Sequence, residues 1–301
     1  MSHTVTHFNR TRLAPTPSGF LHLGNVLSFA LTTALAEKTG AKILLRIDDL
    51  DQARVNKLYV QDIFDTLNFL EIPWDEGPRT VKEFEDNYSQ LHRMAMYRRS
   101  LQQLADEGKV FACTCSRRQL SNAEPCTCFN RQIPLTTENA SWRLITGGSR
   151  EPAVKNYDGK VIRTALPSEM HDFVVKKKDG FPAYQLTSVI DDLFYDVDFI
   201  VRGEDLWPST LAQHLLALAL GKDNFRNIIF YHHQLLLEEA GKKLSKSAGS
   251  TSVKYLRESG KTPADVYQLI ASMMGIEDPV ANWRQLGEIA VTRFPGQQSA
   301  C

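Results

Sequence analysis

The chain lacks an excess of either charge. Lys plus Arg and Asp plus Glu each number 35 in 301 residues, so the formal net charge is zero. Proteins that coat nucleic acid are usually basic overall. The balance counts against a broad RNA footprint and confines any RNA contact to patches such as Arg98-Arg99, Arg117-Arg118, Lys176-Lys177-Lys178 and Lys242-Lys243. Taken singly, each of these patches reads as solvated surface charge. Long apolar runs are also missing. The most apolar stretch, Leu211 to Leu220, is broken by Gln213 and His214 and is too short to cross a bilayer, so no membrane partner is expected. Met1 to Arg10 has no apolar core, so no signal peptide is expected and a cytoplasmic location follows. There is no internal repeat and no low-complexity segment. What remains is a composition ordinary for a globular protein, 43% hydrophobic and 23% charged, with length for about two domains.

Hydrophobic spacing predicts a strand over Thr11 to Leu13. A helix follows from Leu23 to Thr39, where Leu23, Val26, Leu27, Ala30, Leu31, Ala34 and Leu35 keep i, i+3, i+4 spacing and Gly40 stops it. Lys42 to Ile47 reads as a second strand, apolar on both faces as inside a parallel sheet. This is the start of an α/β, doubly wound parallel nucleotide-binding fold of the Rossmann type. Helices are expected near Val55–Leu70 and Tyr88–Gly108, with a turn at Ile72 to Pro78. From Phe111 to Gly180 the pattern changes to cysteines, prolines, glycines and short strands, among them Trp142–Ile145 and Val161–Ala165. Strands at Ala183–Ile190 and Val197–Val201, a helix over Pro208–Leu220 and a strand at Asn227–Tyr231 resume the first pattern. Helices near Val253–Glu258 and Pro263–Met274 precede a polar tail from about Pro295. The expected domains are therefore a catalytic one, residues 1–110 and 181–247, an insertion, 111–180, and a C-terminal helical segment with its tail, 248–301.

Two separated segments carry the chemistry. Pro15-Thr16-Pro17-Ser18-Gly19-Phe20-Leu21-His22-Leu23-Gly24-Asn25 is a turn feeding a helix N-terminus, which suits phosphate. Gly24 lets the backbone approach closely and His22 offers a donor toward a phosphoryl oxygen. Far downstream, Lys242-Lys243-Leu244-Ser245-Lys246-Ser247 supplies mobile positive charge, chiefly Lys243 and Lys246, for a leaving pyrophosphate. Positioning and charge stabilisation are most of what nucleotidyl transfer needs. Taken singly, these segments also read as a plain turn and an exposed basic loop. Their order around a strand–helix pattern favours a site that grips ATP from two sides.

His22-Leu23-Gly24-Asn25 and Lys243-Leu244-Ser245-Lys246-Ser247 resemble the two signature motifs of class I aminoacyl-tRNA synthetases. Arg12-Leu-Ala-Pro-Thr-Pro-Ser-Gly19, Leu45-Arg-Ile-Asp-Asp-Leu-Asp51 and Asp198-Phe-Ile-Val-Arg-Gly-Glu-Asp205 narrow the resemblance to the glutamyl branch, over about Thr11 to Met274. It implies ATP with Mg2+, L-glutamate and a tRNA as partners. It places His22, Gly24, Asn25, Asp205 and Lys246 on ATP. Arg12, Ala14, Thr16, Asp48, Tyr184 and Arg202 fall at the glutamate positions. Chemistry agrees for the arginines, whose planar forks match a side-chain carboxylate. The chain departs from the family at Asp48, usually Glu, and Thr16, usually Ser. The lost methylene withdraws the carboxylate by roughly 1.5 Å, so an α-ammonium must be met through water or a backbone shift.

Four of the five cysteines, Cys113, Cys115, Cys126 and Cys128, form Cys-Thr-Cys, ten residues, Cys-Thr-Cys. Without a secretory signal, disulfides are not expected. Four thiolates on two knuckles suit structural Zn2+. The cluster resembles that of one group within the branch, the glutamyl-Q tRNA(Asp) synthetases, whose ligands are a Cys-x-Cys pair, a tyrosine and a further cysteine. Here Cys126 and Cys128 stand in the second half. Either four sulfurs ligate or one of that pair is a bystander. Few residues follow Ser247, too few for the large anticodon-reading region of a glutamyl-tRNA synthetase. The resemblance then implies transfer of glutamate to queuosine in the anticodon stem-loop of tRNA(Asp), by a monomer. A truncated glutamyl-tRNA synthetase charging a 3′ end or a non-tRNA acceptor, and a non-catalytic zinc-ordered RNA-binding paralogue, are the rival readings.

Overall fold

In chain order the computed structural model contains β1 (Arg10–Leu13), α1 (Leu23–Thr39), β2 (Lys42–Leu45), α2 (Lys57–Phe69) and α3 (Met94–Asp106). Then come β3 (Val110–Cys113), β4 (Ser141–Leu144), β5 (Ala153–Asn156), β6 (Val161–Arg163), β7 (Val174–Lys176) and α4 (Tyr184–Phe194). The remaining elements are β8 (Phe199–Gly203), α5 (Trp207–Ala219), β9 (Ile229–His233), α6 (Val253–Glu258), α7 (Pro263–Met273) and α8 (Trp283–Arg293). The structure describes residues 7–116, 119, 126–147, 151–236 and 252–294. They divide into two compact units. One is built from Met1–His92, Val197–Leu206 and Ile229–Cys301, the other from Arg93–Asp196 and Trp207–Ile228.

The first unit is a parallel α/β layer. β1 pairs with β2 in parallel, from Arg10 opposite Lys42 to Leu13 opposite Leu45. Past the strand ends the Arg46 N–H donates to the Leu13 carbonyl and the Asp48 N–H to the Pro15 carbonyl, both at 2.9 Å. β8 and β9 form a second parallel pair, Phe199 opposite Ile229 through Gly203 opposite His233. Single bonds place β8 beside β1: the Asp198 N–H donates to the Arg10 carbonyl at 3.1 Å, and the Asp198 carboxylate accepts from the Asn9 and Arg10 N–H groups. The chain therefore leaves β1 toward β2 on one side and later returns to its other side, which is a topological switch point.

α1 has the bounds that the apolar spacing predicts, and Gly40 ends it at φ 75 with its N–H on the Ala36 carbonyl. Its buried residues extend beyond one stripe to Phe29, Thr32 and Thr33, because it is covered twice. α8, which the apolar spacing does not reveal, packs against it. A Cβ on Gly287 would lie 2.3 Å from the Ala34 Cβ, so only glycine permits that approach. Tyr267 and Trp283 fasten α7 and α8 to the end of α2, donating to the Leu70 and Glu71 carbonyls at 2.7 and 3.0 Å.

The second unit holds an antiparallel sheet in the order β3-β4-β7 and a β5–β6 hairpin. A buried ion pair joins α4 to the residue that precedes α3. Arg93 donates to both oxygens of Asp191, at 2.8 and 3.2 Å, and the Tyr97 hydroxyl donates to Oδ1 at 2.6 Å. The expected strand at Ala183–Ile190 is instead the start of α4, and Tyr184 opens a helix. Leu186, Val189, Ile190, Leu193 and Phe194 recur at helical spacing, a period hidden by the β-branched residues among them. The helix expected from Tyr88 begins at Met94. Ahead of it, Phe84–Tyr88 makes a π-helical turn and Gln90–Arg93 a 3-10 turn. Among the described residues no helix is long and apolar enough to cross a membrane.

The α1–α8 approach has a measurable consequence. Gly287→Val should lower stability by about 1–3 kcal/mol through overpacking against Ala34. An unchanged denaturant midpoint would mean that α8 does not press on α1 in solution.

Candidate functional site

The chain between β1 and α1 carries no apolar periodicity, and His22 ends it in an extended conformation, φ −117° and ψ 170°. His22 Nδ1 accepts from the Gly24 N–H at 3.1 Å, while Asn25 Oδ1 accepts from the His22 N–H at 3.1 Å, a reciprocal cap. The His22 carbonyl also receives the Asn25 and Val26 N–H groups, at 2.9 and 3.3 Å. The sequence reading takes this turn as a set of unpaired N–H groups for phosphate. In the structure those three are engaged by His22 itself. What the turn offers an anion is the positive end of the α1 dipole and the imidazole. With Nδ1 accepting, the proton of a neutral ring sits on Nε2, making that atom a donor. A Cβ on Gly24 would lie 3.1 Å from both Nδ1 and Cε1 of His22, so a side chain there would push the ring.

The switch point lies in the same unit. Arg12, in β1, is buried and donates from Nη1 to the Val201 carbonyl at 3.3 Å, bridging to β8. Arg202, in β8, is also buried, with its guanidinium 4.8 Å from the centre of the Phe230 ring. Ala14 and the exposed Thr16 follow β1. Asp205 lies in a helical turn just past β8, and a Cβ on Gly203 would meet its Oδ1 at 2.6 Å. Parallel-sheet ligands bind beyond strand ends at such a point. Asp48 reaches it through its N–H bond to Pro15, and its carboxylate is already paired. Arg46 donates to Oδ1 from Nε at 2.7 Å and to Oδ2 from Nη2 at 3.0 Å, with both side chains buried. Any ammonium bound at Asp48 shares that carboxylate with Arg46. Sequence reasoning missed Arg46, although residues two apart in an extended segment share a face.

Lys243 and Lys246 lie outside the described residues. The two ends of their segment do not, and both are fixed to α1. Upstream, the His233 Nδ1 donates to the Gln234 carbonyl at 2.8 Å, and Nε2 accepts from the Ser28 hydroxyl at 2.5 Å. Full burial holds the His233 pKa below its ordinary value, which keeps that arrangement neutral. Downstream, Ser252 bridges to His22, and the Val253 N–H donates to the Leu21 carbonyl at 2.8 Å. His22 and Ser28 are six residues apart, about 9 Å along a helix. His233 and Ser252, the described residues that flank the lysines in sequence, are therefore both tied to the start of α1.

Tyr184 and the cysteines belong to the second unit. Tyr184 is 45% exposed at the head of α4. Cys113 ends β3, and the four cysteine sulfurs lie within 4.8 Å of one another. Sγ separations are 3.6 Å for Cys113–Cys126, 3.9 Å for Cys115–Cys126 and 3.5 Å for Cys115–Cys128. Tetrahedral zinc with bonds of about 2.3 Å needs sulfurs about 3.8 Å apart. All four positions fit, Cys126 and Cys128 included, which favours the four-sulfur alternative over a bystander. Their acidities diverge with burial and with the hydrogen bonds each thiol makes. Burial, with the neighbouring thiols, pushes Cys126 up to about 12. For Cys128 burial acts upward too, but the Thr114 backbone and the adjacent S–H groups outweigh it and bring the thiol down to about 6.

Known proteins of similar sequence and fold are tRNA synthetases. The family described as tRNA synthetases class I (E and Q), catalytic domain, matches residues 9–130 and 138–282. The chain is 36% identical to a glutamyl-Q tRNA(Asp) synthetase of Synechococcus sp. (strain CC9605), over 90% of this chain and 85% of that protein. It is 34% identical to that of Symbiobacterium thermophilum, over 89% and 87%. A glutamate–tRNA ligase of Dehalococcoides mccartyi (strain CBDB1) is 31% identical over 90% of this chain, which spans 57% of that ligase. The glutamate-tRNA synthetase crystal structure from Elizabethkingia anophelis shares the fold, with a TM-score of 0.73 at 23% identity, over 94% of this chain and 65% of the other. The profile match runs through the capped turn at α1 and the strands of the switch point alike, and the chain belongs to the class I tRNA synthetases of the E and Q family.

Proposed function

We propose that the chain activates L-glutamate with ATP and transfers it to the queuosine base of tRNA(Asp). The observation that carries the reading is that His233 and Ser252, which flank the lysines in sequence, are tied to Ser28 of α1 and to the capped turn at His22. A triphosphate at that turn would meet the helix dipole and His22, and Lys243 and Lys246 are assigned to the same phosphates by family resemblance. In the first step a glutamate α-carboxylate oxygen attacks the α-phosphorus of Mg2+-bound ATP. A carboxyl–phosphate bond forms, the α–β bridging P–O bond breaks, and pyrophosphate leaves with the bond electrons. No protein nucleophile takes part, so positioning and charge are what the site supplies. Asn25 and Asp205 complete the nucleotide side. Ala14 and Thr16 line the amino-acid side, where Arg12 and Arg202 answer the side-chain carboxylate and Asp48, steadied by Arg46, the α-ammonium. Tyr184 is assigned to the same substrate by family resemblance alone. In the second step a hydroxyl on the cyclopentene ring of queuosine attacks the activated carbonyl and AMP departs.

The acceptor assignment is supported by similarity: the chain is 36% and 34% identical to two glutamyl-Q tRNA(Asp) synthetases. Similarity to the glutamate–tRNA ligase keeps charging of a tRNA 3′ end as the second reading. Labelled glutamate offered with matched tRNA(Asp) samples should transfer only where queuosine is present. Equal transfer to both samples would move the assignment to the 3′ end. Lys246→Ala should slow glutamyl-adenylate formation at least about 100-fold while glutamate still binds, the range for loss of a charge-stabilising group. An undiminished rate would remove that lysine from its role.

The cysteine cluster is proposed to hold structural Zn2+, which when bound would order the segment after β3 and leave no open coordination position. Purified protein should contain about one equivalent of zinc per chain, as a site of four thiolates requires. Cys126→Ser and Cys128→Ser should each release most of it. Full zinc retention by either variant would return that cysteine to the status of a neighbour.

A further inference from the structure

Asp62, on α2, has no part in the chemistry assigned above, yet it reaches both the residue before His22 and the helix that follows the lysines in sequence. Its side chain is 3% exposed. Oδ2 accepts from the Leu21 N–H at 3.1 Å, one residue before His22 caps α1. Oδ1 receives no hydrogen bond from the described residues and faces Arg257 Nη2 at 3.9 Å. Arg257 belongs to α6, whose first residue, Val253, donates to the carbonyl of the same Leu21. Leu21 is thus held at its N–H by α2 and at its C=O by α6. Neighbouring contacts repeat this three-way junction. Lys254 of α6 lies 5.4 Å from the centre of the Phe20 ring, and Phe20 meets Tyr59 of α2 edge to face at 5.0 Å. Asp65, a turn along α2, stands 3.6 Å from Arg257 Nη2.

A neutral acceptor would satisfy one backbone N–H with less desolvation. Burial pushes the Asp62 carboxyl above its ordinary range, and the Leu21 bond and Arg257 act against that push. Buried carboxylate–arginine pairs contribute little net stability, and their best-attested use is to fix geometry. The geometry fixed here is the distance between the cap of α1 and the helix that follows Lys246 in sequence.

We propose that Asp62, with Arg257, is a positioning residue for nucleotide binding: it holds Leu21, and through it His22 and the first turn of α1, in register with α6. It touches no reacting atom. The inference rests on the adenylate-forming reading above, and a displacement of about 1 Å at such a turn is enough to cost about 100-fold in rate.

Glutamate-dependent ATP–pyrophosphate exchange, run with and without tRNA(Asp), tests both ideas separately. Wild-type silence in both conditions sinks the functional reading and this one with it. Given wild-type exchange, Asp62→Ala should raise the KM for ATP about tenfold and lower kcat, with the KM for glutamate within about twofold. Asp62→Asn keeps an acceptor for Leu21 but loses the charge facing Arg257, and should raise the ATP KM about threefold. Arg257→Ala should raise it at least as much, since it also loses Asp65, and the double variant should be no worse than Arg257→Ala alone, because the Asp62 contact is already gone there. Should Asp62→Ala fail to fold, the Asn and Arg257→Ala variants carry the test. A lower melting temperature with unmoved ATP KM, or equal rises in both KM values, would reduce Asp62 to a structural residue and overturn the proposal.

Discussion

Where a parallel strand hands the chain to a helix, the first N–H groups of that helix need acceptors, and at α1 two atoms of a single residue accept from three of them. His22 receives Gly24 on its ring and Asn25 and Val26 on its carbonyl. The ring is then fixed with its remaining nitrogen as the donor, so the cap that starts the helix also sets the tautomer of a proposed catalytic group. Other contacts converge on this turn. Leu21 is gripped on both backbone groups, Ser252 bridges to His22, and Gly24 must stay small to leave the imidazole where it is.

Charge is placed with the same selectivity. The chain is neutral overall, yet three arginines, Arg12, Arg46 and Arg202, are buried in the unit that holds the switch point. Each is held by a specific acceptor or ring: the Val201 carbonyl, the Asp48 carboxylate and the face of Phe230. Buried aspartates, Asp48, Asp49 and Asp62, lie in the same unit, so its charge is balanced locally.

Much of this was legible in the sequence, for a reason that differs by element. The bounds of α1 could be read because its apolar spacing, its capping residue and Gly40 agree. The cysteine knuckles could be read because ligand spacing is local. α4 was misread as a strand because Thr187, Val189 and Ile190 carry β propensity, and tertiary burial decided otherwise. α8 was missed because its burial against α1 depends on Gly287, whose value exists only in the presence of a helix more than two hundred residues away. The candidate site divides along the same line. His22, Arg12 and Arg202 sit in recognisable local patterns, whereas the tie of His233 to Ser28 is a long-range meeting with no mark in either segment.

The first unit is assembled from three stretches of chain separated by two excursions into the second. During synthesis, β1 and β2 leave the ribosome long before β8 can lie beside them, and α1 waits for α8, which emerges after every other described element. Apolar faces of α1 that are finally shielded must therefore remain uncovered through most of that interval. Nascent chains of this protein depend on late closure of the unit and on whatever guards exposed surface until then.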